Sequence, residues 1–568
     1  MLSHSRSGIF ARVVLLPLLL ILLTVAGLGS YYEASDDTTL AWLFSGVLAL
    51  KPVSSVPLYF HGYGHLLAAA YAVAPSVSWL GGLLGGLLVV STVLAFAVLD
   101  RLLRPHLRPA LLVLALVVFF GLAWVEHWLW FSYVRVALLL AGVAVLYAAQ
   151  RPERRGALLL GLLGLTAAWL LRPSQALMGF GVVLPAVRLL AGSWRRAAPL
   201  VAGAMVVLVL ATGTAALLRT SEQTHTQVRD GYFARVLDFD QLRIQPRTSA
   251  DSLGTAAVNL WLLGDSTVVN EAMCRRAYRF DALDFFGREM PAKLVLRAGF
   301  IVRDYFPLLL ALLLTAVVST RRQSPQRWFW VVQMGFAGAF IFLAGIFKLP
   351  PRIELPLLDF WLLTNLAFLL MENRAASIDD SGAAAGVVPL AVPLLPVPQW
   401  LSRLSTGVFV LVILLYSAKT WHRHQVLSLE QQRHHLALAA IDRAAGAGRI
   451  RILAGTNDLL KSLSPFRSYR PVSGPVLLLT GWTAHDASQV QLRYDLTGTT
   501  DQIEALRRLA APVAAGAGPL WVLTPETAFW LSRRFRLSGP RLLLRAEVPV
   551  AFPDSSLCFY RVQPWPEQ

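Results

Sequence analysis

Charge is scarce in this sequence. Asp, Glu, Lys and Arg together make up 15% of the residues and apolar types 56%, whereas soluble domains carry about a quarter charged residues. That shortage argues against a water-soluble enzyme. Cysteine is scarcer still, with two residues, Cys274 and Cys558. This excludes a disulfide-stapled scaffold and leaves a single bridge or, more simply, two isolated buried thiols. There is no CxxC, no HExxH and no Gly-rich phosphate loop. The net charge is +18, but Lys and Arg form no single stripe with interleaved aromatics, so nucleic acid is not a partner.

What is present is a series of long apolar blocks. Val13–Gly29, Val77–Leu99, Pro109–Val125, Val136–Ala149 and Ala197–Leu218 are uncharged. Runs of roughly 17–25 apolar residues suffice to cross a bilayer, and these blocks lack the polar face of a surface helix. Arg6 and Arg12 precede a first block longer than the about 7–15 residues of a signal-peptide core, with no A-x-A site after it. The expectation is an uncleaved first helix.

Arginine clusters then set the topology, because cytoplasmic loops collect Lys and Arg. With the N-terminus cytoplasmic, spans are expected at about 13–30, 77–100, 109–126, 132–150, 156–171, 175–191, 197–218, 299–319, 328–347, 355–371 and 401–418. Arg101, Arg104, Arg108, Arg151, Arg154, Arg155, Arg195, Arg196, Arg321, Arg322 and Arg327 then all fall inside. Residues 58–75 are read as an interfacial helix, since a further span would invert the clusters up to Arg196. Gly81, Gly82, Gly85 and Gly86 form overlapping GxxxG pairs, and Gly161 and Gly164 a similar close-approach signal.

The expected fold is an all-α polytopic membrane bundle of about eleven helices. It comprises residues 1–418 with outer loops 31–76 and 219–298, followed by a small extracytoplasmic α/β domain, 419–568. In that domain Trp421–Ala445 reads as an amphipathic helix. Strand-like runs follow at Ile450–Ala454, Val476–Thr480, Gln489–Tyr494, Leu520–Leu523, Arg541–Arg545 and Leu557–Val562, with helices at 500–511 and 526–535.

Chemistry is most legible in Tyr31-Tyr-Glu-Ala-Ser-Asp-Asp-Thr-Thr-Leu40, just beyond the first helix. Asp36 and Asp37 are adjacent, with Glu33 nearby. One reading is a helix start with Ser35 or Asp36 as cap and acids in the first turn. The other is a general base or metal-binding carboxylate at the membrane surface. Arg172 lies at a helix end on the expected outer side, as do Lys348 and Arg352, while Arg135 and His127 flank the third–fourth hairpin. Such cations either snorkel to the interface or bind a phosphate. His61 and His65 stand at i, i+4, a zinc-compatible spacing without the HExxH glutamate; hydrogen bonding to headgroups is the simpler reading. Trp261 and Asp265 read as an anchor and a cap, with sugar binding as the alternative. His422, His424, His434 and His435 read as a solvated helix face.

A first helix, an acidic pair in the first outer loop, interfacial helices and a many-helix bundle together resemble the GT-C membrane glycosyltransferases, which use polyprenyl-phosphate-linked sugars. The resemblance spans about residues 10–420. Leu171-Arg172-Pro173-Ser174, Ala257–Asp265 and Val268–Glu271 look like a less characterised bacterial branch of such proteins. The resemblance implies that Asp36 or Asp37 is catalytic. It further implies that Arg172, Lys348, Arg352, Arg135, His61 and His65 serve substrate binding, with a divalent metal ion as an optional cofactor. The implied partners are a lipid-linked sugar donor, a glycan, lipid or protein acceptor, and membrane lipids, at a bacterial inner membrane. A lipid-linked glycan transporter and a non-enzymatic scaffold are the alternatives. The transporter ranks lower because few charges are expected inside the helices.

Overall fold

The computed structural model describes residues 6–56, 62–239, 241–321, 327–379, 399–471, 474–510, 518–537, 541–553 and 555–565. Contacts divide the chain into two compact units, each built from three stretches. The first comprises Met1–Ser30, Leu83–Arg219 and Met290–Val426; the second comprises Tyr31–Gly82, Thr220–Glu289 and Leu427–Gln568.

The first unit is helical. Among the described residues, 8 helices of the chain are long and apolar enough to cross a membrane. Tyr133–Ala149 and Arg155–Leu171 are equally apolar but only 17 residues each. The last expected span opens the 47-residue helix Gln399–Ala445. Every expected span is therefore helical. Leu15, Leu19, Leu22 and Leu23 on one helix, and Val206, Val209 and Leu210 on another, stand exposed. Apolar faces of this extent suit lipid rather than water, and the chain is an integral membrane protein.

Tyr133–Ala149 is the innermost helix, buried along nearly its whole length. It packs against Arg155–Leu171, Pro173–Ala191 and Pro351–Asp379. Small residues permit the approach: a Cβ on Gly161 would strike Ala148, one on Gly164 would strike Ala144, and one on Gly142 would strike the Phe360 ring. The GxxxG expectation holds for Gly161 and Gly164. A Cβ on Gly82 or Gly86, by contrast, would meet nothing within 4 Å. Trp421–Ala445 is not a separate element either, because the helix begun at Gln399 continues through it. No glycine or proline intervenes after Gly407 until Gly446, which takes the left-handed conformation (φ 60°) that ends a helix.

The second unit holds the C-terminal α/β fold. Five strands are ordered Val476–Leu478, Arg451–Ala454, Leu520–Leu523, Cys558–Pro564, Leu542–Pro549. The first three run parallel, and the last two join antiparallel. Gln489–Tyr494 is not a strand, which corrects the sequence expectation. It lies in the helix Ala487–Thr497, capped by Asp486, whose side chain accepts from the Ser488 amide, and closed by Gly498 in the left-handed region. The cap and the glycine outweigh the local alternation of apolar residues.

The stretch 220–289 is folded into helices Ser221–Leu237, Ser249–Asn259 and Glu271–Ala277. Thr220, Thr248 and Asn270 cap them through side-chain hydrogen bonds, and Gln223 completes a capping box. Their apolar faces share one core with the sheet, in which Leu253, Ala257, Leu262 and Cys274 pack with Ile452, Leu477, Trp521 and Phe535. The expected interfacial helix is a helix over Gly64–Val73, at 10 residues too short to span a hydrocarbon core needing about 20.

Both cysteines are free thiols. Burial, with the Glu271 carboxylate second, pushes the Cys274 thiol up to about 12, and burial also raises half-buried Cys558. At pH 8 the Cys274 thiolate fraction is then on the order of 10⁻⁴. Maleimide labelling of the native protein, followed by mass spectrometry, is expected to modify Cys558 slowly and Cys274 only after denaturation. Prior labelling of Cys274 in the native state would contradict this packing.

Candidate functional site

Asp36 and Asp37 occupy the first turn of the helix Ser35–Phe44, where the partial positive charge of the helix start favours carboxylates. Neither Ser35 nor Asp36 is the cap, contrary to expectation. Ala34, with extended backbone, holds that position without a side-chain hydrogen bond. The two acids differ in burial, Asp37 being 0% exposed and Asp36 half-buried. The turn is pinned by backbone bonds from Tyr32 N to Leu463 O (2.8 Å) and from Ser462 N to Tyr32 O (2.9 Å). Thr38 Oγ1 also donates to Leu460 O (2.8 Å). Burial raises the Tyr32 phenol well above its ordinary value, and the Asp37 charge raises it further, followed by Tyr71 and Tyr469. A crevice of about 20 Å³ opens here, lined by Tyr32, Thr38, Trp42, Tyr71, Arg467 and Arg470 among others. Both arginines are exposed. They were absent from the sequence reading because they come from a segment more than four hundred residues downstream of the acids.

The expected site residues come from both units. Asp36, Asp37 and His65 belong to the second unit, whereas Arg135, Arg172, Lys348 and Arg352 belong to the first. Arg172 sits at the junction of Arg155–Leu171 and Pro173–Ala191. Its Nη1 donates to the Tyr133 hydroxyl (3.1 Å), and its guanidinium lies 5.6 Å from that ring's centroid. Arg135 is two residues further along the same helix. It is 0% exposed, and its Nη1 donates to the Glu126 carbonyl (2.8 Å). Lys348 is exposed, and Arg352 is half-buried in the first turn of Pro351–Asp379. His65 is exposed at the start of Gly64–Val73; His61 lies outside the described residues. The histidine tract is not simply solvated: His424 Nδ1 donates to Leu28 O (2.6 Å) and His434 Nδ1 to Lys461 O (2.8 Å). Asp265 accepts from Thr267 N (3.1 Å) and from Arg534 Nε (2.8 Å).

The helical unit holds a charged cluster that sequence reasoning missed. Glu126, 0% exposed, accepts from Lys419, from Arg423 and from the Tyr416 hydroxyl (2.9 Å). Lys419 also donates to Asp304 O (2.8 Å), and Arg423 pairs with Asp304 Oδ1 (3.3 Å) while lying 4.6 Å from the Trp130 ring centroid. Asp304 precedes Tyr305, whose φ of −128° kinks the helix Met290–Thr320 just before Pro307. Beside this, His127 Nε2 lies 2.7 Å from Asp359 Oδ2, with both side chains 0% exposed. Buried acids thus stand in or at the ends of several apolar helices. The available signal was a lone acid in each of several apolar segments, which by itself marks a partnered or functional site. Among the described residues, no group of three or more His, Cys, Asp or Glu is placed to hold a metal ion.

Removing one member of a buried ion cluster strands the others, typically at about 3–5 kcal/mol. Glu126→Gln should therefore lower the apparent melting temperature of the detergent-purified protein at fixed scan rate, and adding Lys419→Met should recover part of the loss. An unchanged midpoint would show that the cluster does not hold these helices together.

The chain matches no family model and no curated protein. Among solved structures it is similar to ArnT from Cupriavidus metallidurans bound to undecaprenyl phosphate, at 11% sequence identity over 98% of each chain and a TM-score of 0.47.

Proposed function

We propose that this protein is a GT-C-like membrane glycosyltransferase. In this reading it transfers a sugar from a polyprenyl-phosphate-linked donor to an extracytoplasmic acceptor at a bacterial inner membrane. The observation that carries the reading is the acidic pair directly after the first apolar helix, divided by burial into an accessible Asp36 and an enclosed Asp37. A base must reach the proton it removes, and Asp36 is the member a substrate hydroxyl can approach. Asp37 is enclosed in the same turn, which the backbone bonds of Tyr32 and the Thr38 hydroxyl hold in place.

In the proposed step the acceptor hydroxyl gives its proton to the Asp36 carboxylate. Its oxygen bonds to the anomeric carbon, and the bond from that carbon to the phosphate oxygen breaks, releasing polyprenyl phosphate. The leaving group gains negative charge. Arg172, with Lys348 or Arg352, is assigned to stabilise it through charge-assisted hydrogen bonds. A divalent ion, were one bound, would be held by the Asp36 carboxylate and would supply positive charge to the leaving phosphate.

A transporter of lipid-linked glycans is the second reading. The Glu126–Lys419–Arg423–Asp304 cluster favours it, because charged groups within helices are what substrate translocation uses. A flux assay in proteoliposomes with fluorescent lipid-linked glycan separates the two, since an enzyme alone moves no label across the bilayer.

With polyprenyl-phosphate sugars as donors, Asp36→Asn is expected to lower turnover by about 10²–10⁴-fold, and Asp36→Asn/Asp37→Asn to abolish it in a folded protein. Arg172→Ala should lower turnover by about 10²–10³-fold, with partial rescue in Arg172→Lys. Unchanged turnover in the double variant removes the mechanism.

A further inference from the structure

Within the second unit, residues between Val236 and Glu289 line a half-open cavity of about 350 Å³. Its volume falls at the lower end of the range for small-molecule sites, about 300–1,000 Å³. Trp261, Tyr278 and Phe285 supply aromatic walls, and Asn259, Asp284 and Glu289 supply polar groups. Three features set this cavity apart from an incidental gap.

Trp261 is a non-glycine residue at φ 59°, a left-handed backbone that normally costs roughly 1–3 kcal/mol and persists where its surroundings enforce it. The Gly481 amide donates to its carbonyl (2.9 Å), and its ring meets Trp482 edge-on at 6.0 Å. The structure thus holds an indole at the cavity wall against its backbone preference.

Tyr278 packs into the apolar core with Cys274 and Ala277 and is 6% exposed, so the wall it forms is firmly backed. The backbone around it is fixed, because Tyr278 pairs with Ile244 across a short antiparallel ladder and Gln245 N donates to Ala277 O (2.6 Å).

The charge is one-sided. Asp281, Asp284 and Glu289 line the cavity together with a single guanidinium, Arg243, which is 3.1 Å from Asp284 and 3.8 Å from Asp281. The excess of carboxylate disfavours a phosphate or another anion. It suits a ligand rich in hydroxyl donors, because an ionised carboxylate only accepts.

We infer that this cavity binds a neutral or amine-bearing saccharide unit, with Trp261 against the C–H face of the ring and Asp284 and Glu289 accepting from its hydroxyls. An aromatic plane beside a few convergent polar groups is the combination that orients an amphipathic ring. The site is separate from Asp36 and Asp37 and does not rest on the transferase reading.

The test uses the full chain in detergent, with no donor present, so loss or retention of transfer has no bearing on it. Saturation-transfer NMR with methyl glucoside, N-acetylglucosamine and glucosamine, with glucose 6-phosphate as the anionic control, is expected to show millimolar binding of at least one uncharged or amine-bearing probe. The phosphate should bind more weakly. Glu289→Gln should weaken that binding by about tenfold with unchanged melting. Trp261→Ala should abolish it. No binding by any probe at tens of millimolar, preferred binding of glucose 6-phosphate, or full binding in Glu289→Gln would overturn the inference.

Discussion

A carboxylate taken out of water must be matched where it sits, and Glu126 shows what that requirement imposes. It closes the apolar helix Pro109–Leu129, is completely buried, and is met by Lys419, Arg423 and Tyr416 from Gln399–Ala445. The same two cations reach Asp304 at the kink of Met290–Thr320. Three helices remote in sequence are thereby held at defined heights and rotations. Dispersion between apolar helix faces is non-directional, and lipid tails compete for it on nearly equal terms. A charged cluster, in contrast, is satisfied in one arrangement. His127 with Asp359 and Arg12 with Asp100 (2.6 Å) apply the same rule elsewhere in the helical unit.

The second unit is assembled by a different force. Its helices from 220–289 are capped locally but expose apolar faces that cannot be left in water, and the C-terminal sheet carries the complementary surface. Burial of that shared core makes the long loop a folded part of the unit rather than a tether. Directional contacts then refine it: Arg534 enters beside fully buried Asp265, and Trp530 Nε1 donates to Leu253 O (3.1 Å). The acidic aromatic cavity stands on this packed base, while the Asp36–Asp37 turn is tied to residues 460–463 of the same unit by hydrogen bonds of Tyr32 and Thr38.

Much of this was open to a reader of the residues alone. Long uncharged blocks can only be helices in lipid, where every backbone amide needs an internal partner, so each expected span is a helix. Local signals also served for Gln502–Ala510 and Pro525–Leu537, which are helices as expected. Gln489–Tyr494 shows where they conflicted: alternation suggested a strand, while Asp486 and Gly498 marked the ends of a helix. Arg467 and Arg470 beside the acidic turn had no local signal at all, because their relevance depends on a contact across the length of the unit.

By itself, then, the sequence determined the membrane class, the positions of the apolar helices and the acidic pair beyond the first of them, since each follows from composition over a short window. Tertiary structure alone decided that Asp37 is buried while Asp36 stays accessible. It also decided that Glu126 is a matched charge rather than a misplaced one, and that Trp261 and Tyr278 border one cavity. These are relations between residues distant in the chain, and burial, ion pairing and cavity shape arise only when packing brings such residues together.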